Sequence, residues 1–177
     1  NNSKKIVFLC TLFFLISFIS ATQLRFSHDP LGWMPRNSQI VKSTTYIDQN
    51  MGGSVVLEIL LNTKRENGLH DKNILKKIDK LSKELMEKDI DPPVGKVVSL
   101  VDILKEIHRA LNDGNQNYYK IPDDQNAIPQ EFLLFEFSGS DDLETFVDSS
   151  FESARVSIRV PWRGALQYAP FLKETKK

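Results

Sequence analysis

The chain is poor in the residues that carry most protein chemistry. It has one cysteine and three histidines in 177 residues, and its 23 Lys and Arg balance 23 Asp and Glu. The single cysteine, Cys10, lies inside an apolar run. The rest of the chain therefore cannot close an internal disulfide, and its stability must come from packing. Charge balance argues against nucleic acid as a partner, because binding phosphate needs a basic surplus. His28, His70 and His108 each stand apart from any other histidine or cysteine, so no zinc spacing exists. All three are expected at the surface.

Other missing patterns narrow the chemistry further. Ser99 has no Gly-x-Ser-x-Gly elbow around it and reads as a helix cap rather than a nucleophile. Gly52-Gly53 lacks the lysine and Ser/Thr of a phosphate loop. Asp141-Asp142 could form a carboxylate pair, but chain neighbours diverge in direction, and acids suit the positive end of a helix. Arg155 and Arg159 share one strand face and could hold an anion, although a solvated face is the simpler reading. No repeat or low-complexity tract occurs. No residue is assigned a catalytic, cofactor-binding or metal-ligating role, and substrate-binding residues are left open. The chain is expected to be non-enzymatic and to need no cofactor.

What the sequence does have is an apolar leader. Lys4 and Lys5 precede Ile6 to Leu24, nineteen residues without a charge. As a helix they span roughly 28 Å, close to the ~30 Å hydrocarbon core of a bilayer. A membrane-spanning helix is one reading, and a cleaved signal peptide is the other. The basic start and the small residues Ser20 and Ala21 fit a signal, but Phe18 or Ile19 at the minus-three position makes a poor cleavage site. The spanning helix is preferred. The positive-inside rule then puts Asn1 in the cytoplasm and the large domain outside. A first residue other than methionine leads us to expect a piece of a longer polypeptide. No Asn-x-Ser/Thr sequon follows the apolar run, which favours a bacterial envelope.

The remaining ~150 residues suffice for one domain with its own core. Residues 25–37 contain Pro30, Gly32 and Pro35 and read as irregular. Trp33 suits either the membrane interface or the domain core. Ile40, Thr44, Ile47 and Met51 recur at helical spacing, so 38–50 is a predicted helix ended by Gly52-Gly53. Val55 to Leu61 reads as a strand apolar on both faces, and both faces are expected to be largely covered. Asn73 is the expected cap of a helix carrying Ile74, Ile78, Leu81 and Leu85, stopped by Asp91-Pro92-Pro93. Val94 to Val98 is a second short strand.

Ser99 to Asp102 resembles a capping box, opening a helix with Leu100, Leu104, Ile107 and Leu111 inward and Lys105, Glu106, Arg109 and Asn112 outward. Residues 114–129 are expected to be a polar loop, with Pro129 in the first turn of a helix over 130–137. Ser140, Asp141, Asp142 and Glu144 mark another short helix start. Ala154 to Val160 alternates as a half-buried strand with Arg155, Ser157 and Arg159 outward. Gln167 to Lys177 reads as the beginning of a helix. The order is strand, helix, strand, helices, strand, an arrangement whose helices need a sheet face to cover.

Four stretches give this order a family resemblance. Asp29-Pro30-Leu31-Gly32-Trp33-Met34-Pro35, Tyr46 to Gly53, Gly95 to Ile107 and Phe151 to Pro161 together resemble the first part of a periplasmic loop of RND-superfamily exporters, in the hydrophobe-exporter (MMPL-type) branch. The likeness runs from Lys5 to about Pro161, with Met34 where that branch more usually has phenylalanine. The resemblance implies an α+β class, a strand-helix-strand (split ferredoxin-like) porter subdomain preceded by one transmembrane helix.

The implied layout is a cytoplasmic stub and transmembrane helix over 1–24, a connector over 25–54, a porter-like subdomain over 55–163 and the start of a truncated unit over 164–177. It further implies a fragment of a proton-driven inner-membrane exporter. The expected partners are the lipid bilayer, the remainder of its own transporter chain and a hydrophobic small-molecule or lipid substrate. The proton-relay acids would lie on helices this chain lacks. A stand-alone membrane-anchored ligand-binding module is the competing class.

Overall fold

A computed structural model describes residues 3–23, 28–139 and 143–174. The apolar leader forms helix α1, Ser3–Thr22, with no residue buried. It is long and apolar enough to cross a membrane. Thr11 and Thr22 return their hydroxyl protons to Val7 O and Ile19 O within the helix, at 2.9 and 2.7 Å, so they expose no unmet donor. Leu24 and Arg25 lie outside the described residues. Residues 30–37 are less irregular than expected, because Pro30–Trp33 makes one helical turn, α2. Proline at its first position lacks only an N–H that would have no partner there, and Asp29 caps Gly32 N. Trp33 is 68% exposed, so the core is not its place. Helix α3, Gln39–Asn50, is capped by Ser38.

The domain is α+β, with a three-stranded antiparallel sheet. Strands β1 (Val55–Asn62), β2 (Lys96–Val98) and β3 (Ser153–Val160) lie in the order β1-β3-β2, so the last strand in sequence is central. Val55 pairs with Val160, Leu57 with Ile158, Ile59 with Val156 and Leu61 with Ala154. Directly opposed residues share a face, so this register gathers eight apolar side chains on one side. The β3 members of that row are buried, whereas the β1 members are only half-buried. The other face holds Val56 and Leu60 beside Glu58, Arg155 and Arg159. Leu60 is 80% exposed. The sequence reading of β1 as covered on both faces is therefore corrected: β1 is an edge strand with helices over one side only.

Three helices build the layer. α4 (Lys72–Glu87) buries Leu75, Ile78, Ser82 and Leu85. Its cap is Asp71, whose carboxylate accepts from Asn73 N at 2.8 Å, rather than Asn73 itself. α5 (Leu100–Leu111) opens on the expected capping box, with Ser99 N donating to Asp102 Oδ2 at 2.8 Å. Leu100, Val101, Leu104 and Ile107 are buried, while Leu111 is exposed. α6 begins at Ala127, three residues before the expected start, and ends at Phe137. Pro129 is its third residue, which the first turn also tolerates. Of the stretch expected to start a further helix, Ser140 to Asp142 lie outside the described residues, and Leu143–Thr145 is a 3-10 turn. The chain continues through helix α7, Tyr168–Glu174, whose Phe171 is buried.

Two glycine contacts fix where the sheet meets the connector. A Cβ on Gly95 would stand 2.0 Å from Gly52 O, and one on Gly53 would stand 2.3 Å from the Val160 carbonyl carbon. Gly53 also has φ of +124°. Gly95→Ala and Gly53→Ala are each expected to lower the unfolding free energy by about 2–4 kcal/mol. Gly114→Ala meets nothing within 4 Å and is expected to cost about 1 kcal/mol, from its left-handed backbone alone. Urea unfolding of the three variants checks the contrast.

Candidate apolar groove

Between α5, α6 and the free side of β2 lies an open groove of about 870 Å³. α5 supplies Ile103, Ile107, Ala110 and Leu111, α6 supplies Leu134 and Phe135, and β2 supplies Val97 and Val98. Met86, Tyr119 and Phe146 close the ends. Of the α5 residues in the lining only Ile107 is buried, while Met86, Leu111 and Leu134 stand about half exposed. Apolar side chains gathered and left open to water are a feature shared by interaction surfaces and ligand grooves. α6 makes the groove possible because it is apolar around most of its circumference. Ile128 and Phe132 go inward, whereas Leu133, Leu134 and Phe137 remain outside.

Polar groups beside the groove are engaged with one another. Lys105 was expected to point outward, but its side chain is buried and paired with Asp79 of α4. The long alkyl stem of lysine lets it cross an apolar face before its ammonium meets a carboxylate. Burial alone would raise the Asp79 pKa, but hydrogen bonds and charge from Lys105 and Lys83 outweigh it and hold the carboxyl below its ordinary range. Tyr119 lies beneath Lys105 and Arg109, 5.8 and 5.9 Å from its ring centre. Desolvation, with Asp102 and Glu106 nearby, raises its phenol pKa.

The histidines are the second departure from expectation. His28 is exposed and edge-on to Trp33 at 5.1 Å. His108 and His70 are half-buried. His108 Nδ1 lies 2.7 Å from Oε1 of buried Glu131, tying α5 to α6. His70 stacks on Phe132 at 5.9 Å and meets a tilted Phe151 ring at 4.5 Å, and its Nε2 is buried without a hydrogen-bond partner among the described residues. Their sequence neighbours gave little warning, since each histidine's role depends on what α6 and the 150–152 turn bring to it.

Ser99, Gly52-Gly53 and Arg155 have structural partners. Ser99 is spent on its capping box. Gly52-Gly53 makes the close approach described above. Arg155 donates to Glu58 Oε1 at 3.1 Å and lies over Phe146, so it is paired within the sheet. Asp141 and Asp142 lie outside the described residues. Among the described residues, no cluster of three or more His, Cys, Asp or Glu could hold a metal. Comparison of the chain with protein-family models, with curated proteins and with solved structures finds no match.

The site makes a pH prediction. Burial pushes the His70 pKa below its ordinary value, only partly opposed by Glu136. The unfolded chain therefore takes up this proton at a higher pH than the folded one. The contribution of neutral His70 is complete above about pH 6.5, the unperturbed histidine value, and declines as pH falls below it toward the folded value. His70→Phe is expected to flatten that part of the stability–pH curve, measured by thermal unfolding between pH 7.5 and pH 5 in steps of about half a unit.

Proposed function

We propose that this chain is part of a proton-driven exporter of hydrophobic or lipid-like molecules in a bacterial inner membrane. In this reading α1 spans the bilayer, its N-terminus is cytoplasmic and the α+β domain is periplasmic. The domain guides substrate and has no turnover of its own. The observation that carries the reading is β1. It follows an apolar helix and a connector, sits at the sheet edge, and leaves its inward row of Val55, Leu57, Ile59 and Leu61 only half-buried. Such an edge is costly to leave open, since its unpaired backbone groups and apolar row invite another strand. The remainder of the transporter chain is the natural cover, completing a split ferredoxin-like sheet beside β1.

The groove supports the substrate class. Its volume falls within the range of small-molecule sites, and its lining is mainly apolar. A hydrophobic compound would gain roughly 25 cal/mol for each Å² of apolar surface removed from water there. Proton coupling belongs to membrane helices beyond this chain. A second reading has one observation in its favour: the groove is formed entirely within this domain. A stand-alone membrane-anchored binding module would need only that.

Ala110→Trp separates the outcomes by filling the groove from the exposed side of α5. In the full-length protein, reconstituted in proteoliposomes under a proton gradient, it is expected to cut export of an apolar fluorescent substrate by about tenfold, the scale of 1.4 kcal/mol. Unchanged export would remove the groove from the transport path. Binding of the same fluorophore without any gradient-driven movement would favour the binding module.

A further inference from the structure

We propose that the turn around His28, where the domain begins, is a docking face for the headgroup layer of an anionic bilayer. The proposal rests on the reading of α1 as a membrane span. Thr22 ends α1, and His28 follows six residues later. Six residues reach at most about 20 Å, so chain length alone keeps this turn close to the surface from which α1 emerges.

Three further observations say what covers the face. Trp33 and Leu166 are large apolar residues with 68% and 46% exposure. They flank the same point, because Trp33 meets the His28 ring and Ala165 N donates to His28 O at 3.5 Å. An indole with one wet side is suited to the membrane–water boundary.

The charges also fit. Within 28–36 and 161–172 the only acid is Asp29, against Arg36 and Arg163, both exposed. Asp29 is engaged by N–H donors: Trp162 Nε1 donates to its Oδ1 at 2.9 Å, and Gly32 N donates to the same atom at 3.2 Å. Nearby Asp48 accepts from Trp162 N at 3.1 Å and Ser54 N at 2.8 Å. Acids held by N–H donors, with cations left at the surface, complement lipid phosphates rather than a basic or purely apolar partner.

The test uses the whole chain in vesicles of phosphatidylcholine, with or without phosphatidylglycerol, with bromine on the lipid acyl chains near the headgroups. Resistance to alkaline extraction reports insertion of α1. Of the two tryptophans, Trp33 is expected to be quenched by the brominated lipid, roughly halving total emission. In Trp33→Phe that loss should disappear. Quenching should be stronger with phosphatidylglycerol, and the double variant Arg36→Gln/Arg163→Gln should erase the lipid difference. If the inserted chain keeps Trp33 unquenched by lipid and open to aqueous iodide, the docking face is wrong while the span stands. If alkaline washing removes the chain, both fall together.

Discussion

The fold depends on one pairing. β3, the last strand in sequence, enters between β1 and β2, whose nearest ends, Asn62 and Lys96, are separated by 33 intervening residues. Without it β1 and β2 have no common partner, because each is bonded to β3 and neither to the other. Its alternation supplies Ala154, Val156, Ile158 and Val160 to the covered side and Arg155 and Arg159 to the open side. A slip by one residue would exchange these sets, putting two guanidinium groups under the helices. The register is thus fixed by the cost of that burial as much as by hydrogen bonds.

Around that strand the helices are locked by polar contacts that cross between them. Lys105 joins α5 to Asp79 of α4, and His108 joins α5 to Glu131 of α6. Directional contacts in a low-dielectric setting set spacing more tightly than apolar packing does. α5 and α6 are thus tied together beside the open groove. Phe151 adds a local constraint: its φ of +49° is rare for a bulky residue. The ring is held against His70 and Phe132, and its carbonyl accepts from Leu69 N at 2.9 Å.

The connector is tied to the sheet through Trp162, just past the end of β3. Its backbone N–H reaches Asp48 of α3 and its indole reaches Asp29 before α2. The Trp162 hydrogen bond, followed by that of Gly32, holds the Asp29 carboxyl below its ordinary pKa. Two aspartates thus anchor the connector to the end of the central strand.

Periodicity and end signals were enough to place most elements. The 3.6-residue repeats located α3, α4 and α5, the two-residue alternation located β3, and Ser99 with Asp102 marked the start of α5 within a residue. These signals are local, so they are written in the chain. The apolar leader was legible for the same reason. What tertiary structure alone decided was which apolar faces are covered. β1 looked two-sided because Val56 and Leu60 are as apolar as their neighbours, yet helices cover only the other face of the sheet, which leaves these two in water. Lys105 looked like a surface charge until α4 brought Asp79 to it, and His70 and His108 acquired their surroundings from residues 62 and 23 positions away, Phe132 and Glu131. The groove belongs to the same class, since it exists only where three separate segments converge. Local sequence sets backbone preference, whereas burial is a property of what else arrives at the same place.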